Sequence, residues 1–157
     1  MAKFAQLATA IRACTLAATL ALPAAYAIHP AAALAEEGTY WPADATLYII
    51  SPEDGATVTS PVTVRFGLKG LGVAPAGVDK AKTGHHHLLI DTDAPTGDDL
   101  DMPIPADEHH VHFGGGQTET TIELAPGTHT LQLIMGDMNH VPHNPPLVSK
   151  KITITVE

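Results

Sequence analysis

The chain has 157 residues, of which 17 are Asp or Glu and 8 are Lys or Arg, for a formal charge of −9. A surface of that sign repels phosphate backbones and argues against a nucleic-acid partner. With 45% apolar and 16% charged residues the chain can bury one core, and 13 Gly with 13 Pro favour short strands over long helices.

Residues 1–35 read as a secretory signal peptide. Lys3 and Arg12 precede an Ala/Leu/Thr run, and small residues follow at cleavage spacing, at Ala25-Tyr26-Ala27 or, preferred, at Ala33-Leu34-Ala35. The uncharged run is too short to span a bilayer, which needs about 20 residues. Cleavage after Ala35 predicts an exported, periplasmic or secreted protein with no membrane span. It leaves 122 residues carrying six basic and 17 acidic side chains, a net charge of −11. The single cysteine, Cys14, is lost with the leader. Disulfides, thiolate chemistry and Cys-ligated metal sites then drop out.

Residues 36–45 form a short lead, and residues 46–157 read as one β domain. Leu47 to Ile50 is a first strand, stopped by Ser51-Pro52-Glu53-Asp54-Gly55. Pro61 to Leu68 alternates, with Val62, Val64, Phe66 and Leu68 sharing a face. After a Gly-rich loop, His85 to Asp91 is a third strand and His109 to Phe113 a fourth, joined by the acidic, Pro-containing stretch from Thr92 to Glu108. That stretch reads as a solvated loop, because its Gly and Pro fall at the wrong offsets for a calcium loop. Gly114-Gly115-Gly116 bends the chain. Strands from Thr118 to Leu124, Thr128 to Met135 and Val148 to Val156 complete a set of seven. Their number and spacing predict an immunoglobulin-like antiparallel β-sandwich.

Ten histidines are the unusual entry in the composition. Eight occur as His85-His86-His87, His109-His110-Val111-His112 and His140-Val141-Pro142-His143; His129 stands alone as an expected surface residue, and His29 falls in the leader. Residues i and i+2 of a strand share a face about 6.6 Å apart, so paired imidazoles can converge on one ion. His110 and His112 share a face opposite Val111 and Phe113, whereas Leu89 obscures which face of the first cluster is inward. Prolines place the third cluster on a loop. The candidate metal ligands are therefore His85, His87, His110, His112, His140 and His143. Imidazole suits copper or zinc ions, with copper favoured. Met102, Met135 and Met138 could add thioethers, and Asp137 could orient a ligand ring. The competing explanation is a polar histidine network around loops in a non-metal interaction module, with a periplasmic or envelope protein as partner. No nucleophile elbow, phosphate loop or paired-carboxylate motif is present, so no enzyme activity is assigned beyond what a copper redox centre would bring.

Several long motifs in order carry a resemblance. They are Gly70-Leu71-Gly72-Val73-Ala74-Pro75-Ala76-Gly77, Thr83-Gly84-His85-His86-His87-Leu88-Leu89-Ile90-Asp91, His112-Phe113-Gly114-Gly115-Gly116-Gln117-Thr118-Glu119, and Gly136-Asp137 with His140-Val141-Pro142-His143-Asn144-Pro145-Pro146. Over residues 46–157 the chain resembles an uncharacterised family of small exported bacterial domains of unknown function. The resemblance implies export and a single small β domain. The strand His110-Val111-His112 is also similar to one in copper–zinc superoxide dismutase, but the chain lacks that family's structural disulfide and its bridging-histidine and zinc-loop pattern.

Overall fold

The computed structural model describes residues 39–157, so the expected signal peptide and the start of the lead lie outside the described residues. All seven expected strands are present. They run as β1 (Thr46–Ser51), β3 (Val62–Lys69), β5 (Thr83–Ile90), β6 (His110–His112), β7 (Glu119–Ile122), β8 (Gly127–Gly136) and β9 (Ile152–Val156). Two-residue strands β2 (Thr57–Val58) and β4 (Gly72–Val73) add to them, and a 3₁₀ turn spans Gly97–Asp101. Those three pieces are too short to leave a periodic signal in the sequence.

The strands form a β-sandwich. One sheet has the order β1-β3-β7, and the other β2-β9-β8-β5-β4, with β6 also paired to β5. The alternation in β3 has the expected outcome: Val62, Val64 and Phe66 are buried while Thr63 and Arg65 are exposed. They meet Leu88, Leu131, Leu133, Ile152 and Ile154 from the opposing sheet to form the main core, which Trp41 and Phe113 close. On the outer face Tyr48 lies across from Gly67, and its ring takes the space a side chain there would need. Among the described residues no helix is long and apolar enough to cross a membrane.

Strand β5 positions everything that follows. From Gly84 to Ile90 every residue is buried, so the strand is covered on both faces. His86, Leu88 and Ile90 face the main core; the His86 ring centroid lies 5.2 Å from that of Phe66. Leu89 belongs to a second, smaller cluster with Ile104 and Ile134, packed against Ala94 and Val148. The second cover is built from the acidic segment and the stretch after β8. The acidic segment is therefore not wholly solvated: it buries Leu100 and Ile104. Burial on two faces also explains why the sequence around Leu89 gave no clean split between inside and outside.

Candidate metal centre

Alternation in β5 sends His85 and His87 to the face away from the main core, beside one another. In the antiparallel ladder with β6, His112 stands directly opposite His87, and cross-strand partners are the nearest neighbours a sheet provides. On the other flank, Gly136 of β8 is paired with His85. A methyl group at Gly136 would lie 2.9 Å from Nε2 of His87 and 3.1 Å from the His140 Cα, so only glycine leaves space for the ring and the returning loop. The chain then turns through Asp137 to Asn139 and delivers His140, at φ 72°, onto the same rings. Three separate parts of the sequence thus contribute four imidazoles.

All six centroid separations among His85, His87, His112 and His140 fall between 4.6 and 5.9 Å. Nε2 of His85 and Nε2 of His87 are 3.1 Å apart. Two nitrogens on a tetrahedral ion would be separated by about 3.3 Å, given bonds of about 2.0–2.1 Å. One ring nitrogen from each of His85, His87 and His112 lies within 4.8 Å of the other two, and these three could hold a metal ion. His85 and His87 are fully buried, while His112 is the accessible member.

The electrostatics keep the rings in the form that ligates. Burial, reinforced by repulsion from His112 and His140, lowers the His85 imidazole to about 4. Burial and the same neighbours push His87 lower still, and His112 is depressed by burial and His140. These rings are neutral at pH 7, with lone pairs available. The Nδ1 atoms of His85 and His87 and both ring nitrogens of His86 are buried without a hydrogen-bond partner. A buried unmet polar atom costs roughly 1–3 kcal/mol, so this strand carries an unusual burden for the sake of its histidines.

Two of the six candidate ligands are not drawn into the cluster. His110 shares the face, but it stands opposite Leu89, one pair further along, and its Nδ1 is 2.8 Å from Oδ1 of Asp107. His143 donates from Nε2 to Oδ2 of Asp137 at 3.0 Å and stacks on Tyr40 at 3.6 Å. His129, expected as a surface strand residue, lies on β8 with Nδ1 2.7 Å from Oδ2 of Asp91, a bond that raises its pKa. Among the methionines, Met135 lies in the main core, and Met102 lines a separate groove of about 510 Å³ with Pro95, Pro103, Ile104 and His110.

Asp137 shapes the loop. Its Oδ1 accepts the amides of Asn139 and Val141 at 2.8 and 2.9 Å, and its own amide donates to the Val141 carbonyl. Burial works to raise this carboxyl, but the Val141, His143 and Asn139 hydrogen bonds outweigh it and hold the group below its ordinary value. The loop is pinned from outside as well. The Trp41 indole donates to the Pro142 carbonyl at 2.6 Å, and the His143 amide donates to the Leu100 carbonyl at 3.0 Å. Sequence reasoning missed Tyr40, Trp41, Gly114 and Gly136. A lone Trp just before the first strand, and a glycine ending an apolar strand beside Asp137, were the available signals.

Gly114 supplies a test of the geometry. A Cβ there would lie 2.4 Å from Cε1 and 2.6 Å from Nε2 of His112. Because His112 is accessible, Gly114→Ala is expected to swing the ring away without unfolding the sandwich. The expected result is a circular dichroism spectrum like the wild type's and metal affinity lower by about 10–100-fold, the cost of disturbing a ligand's support. Unchanged affinity in a titration would remove His112 from the site.

A family model described as a domain of unknown function (DUF4399) matches residues 64–157. The chain belongs to this family. All four clustered histidines and Asp137 lie inside the DUF4399 match, whereas Tyr40 and Trp41 precede it. Searches of curated proteins and of solved structures gave no significant match.

Proposed function

We propose that this domain binds one transition-metal ion through His85, His87, His112 and His140 and serves to buffer or deliver it outside the cytoplasm. The observation that carries the reading is the mutual approach of those four rings, from β5, β6 and the loop after β8. Four imidazoles favour a stored or carried ion over a catalytic one, because catalytic centres keep a coordination position open. Copper is the favoured cargo, since copper(II) heads the divalent affinity series for nitrogen ligands; zinc, content with four tetrahedral nitrogens, is the alternative. The leader-like residues 1–35 and the thiol-free remainder support export to the periplasm or beyond.

The test is titration of chelator-stripped protein with copper(II) and zinc, followed by a thermal melt. One equivalent is expected to bind. Free metal at 100 times Kd should add about 2.7 kcal/mol of stability. Failure of both ions to bind or to shift the melt overturns the proposal.

A further inference from the structure

An ion held by four neutral imidazoles brings its whole charge into a covered site, where an unbalanced charge is costly. Among the described residues Asp137 is the one carboxylate that is buried, at 5% exposure. It directly follows Gly136, where a Cβ would meet Nε2 of His87 and the His140 backbone; its carbonyl accepts the His140 amide at 2.9 Å, and its charge acts on His85. Its oxygens accept hydrogen bonds from the Asn139 and Val141 amides on Oδ1 and from Nε2 of His143 on Oδ2. Among the described residues no Lys or Arg forms an ion pair with it. The carboxylate at the foot of the imidazole cluster therefore has no permanent cation against it.

We propose that Asp137 is the charge-balancing and positioning residue of the imidazole site, setting its preference for a doubly charged ion while holding the His140 loop in place. This rests on the metal-binding reading above and adds a selectivity to it. His143 then has a role of its own: it donates to the carboxylate under the stacked ring of Tyr40 and fixes its orientation.

Asp137→Asn separates charge from shape, because the amide oxygen can still accept from Asn139 and Val141. The probes are zinc alone, a dication, and silver(I) alone, a soft monocation. Coulomb energy scales with the charge of the ion, so the loss measured as a logarithm should be about twice as large for zinc as for silver(I). A fall of about 100-fold for zinc with about 10-fold for silver(I) is expected, while the metal-free melt stays near that of the wild type. Cobalt(II) absorption should keep the wild-type band pattern, since all four ligands remain.

Equal losses for the two ions, or none for either, would overturn the charge role. A changed cobalt spectrum would show Asp137 to be a scaffold for His140 only, and would overturn it too. If Asp137→Asn does not fold, His143→Lys places a cation against the intact carboxylate and should reproduce the same two-to-one ratio. Wild-type protein that takes up none of these ions refutes the metal-binding reading itself, a result distinct from wild-type uptake with an insensitive Asp137→Asn.

Discussion

Replacing His112 with alanine is expected to weaken zinc or copper(II) binding by more than about 100-fold, whereas His110→Ala leaves it nearly unchanged. Disturbing a ligand's supporting shell already costs about 10–100-fold, and deleting the ligand costs more. The contrast is sharp because the two residues share a strand, a face and a side-chain type. What separates them is register: His112 is paired with His87, and His110 with Leu89. His112 is also the accessible member, so its truncation leaves no cavity in the fold and the metal-free melt should hardly move. His110 makes its own bond to Asp107 and loses only that exposed contact. Isothermal titration of both variants decides the matter. Equal losses would mean that the ion, if bound, sits along the strand face and not among the four rings.

The histidine pattern revealed the strand pairs because strand geometry is local: His85 and His87, two apart on β5, had to share a face. The seven strands were legible for the same reason, as in β3 and β9, where buried and exposed residues alternate. Which pair faces which could not be read, because register between β5 and β6 is set across the 19 residues 91–109, with their own buried Leu100 and Ile104. His140 and His143 looked equivalent in the sequence. They part company at a loop where both adopt positive φ, at 72° and 61°, so that one ring meets His85 while the other meets Asp137. Non-glycine residues rarely take that conformation, and here surrounding bonds impose it: Asp137 from within the loop, and Trp41 and Leu100 from outside. Those partners are distant in sequence, and no local pattern announces them.

Below pH 6.5 the metal-free protein should lose stability steeply. His85 and His86 titrate at about 4 in the folded state, both chiefly because they are buried, and His87 is displaced further in the same direction. In the unfolded chain each has an ordinary value near 6.5. Above pH 6.5 both states hold these three rings neutral, and they add no slope to the profile. As the pH falls, protons bind the unfolded chain first, so unfolding is favoured down to about pH 4, where His85 and His86 begin to protonate in the fold as well. At pH 5 each of the three buried rings costs about 2 kcal/mol, together about 6 kcal/mol, against a total stability of about 5–15 kcal/mol for an ordinary domain. His129 opposes this slightly, because Asp91 raises its pKa and stabilises the fold at lower pH. Denaturant midpoints between pH 8 and pH 4.5 measure the effect, and a flat profile across that range would contradict the buried-neutral description. Two further arms assign it. His86→Leu removes a ring that faces Phe66 and not the cluster, so it should lessen the acid dependence by about 2 kcal/mol at pH 5 and leave metal affinity alone. Saturating metal should move the acid transition of the wild type downward in pH, because an ion that requires unprotonated rings binds the folded state alone and competes directly with the protons.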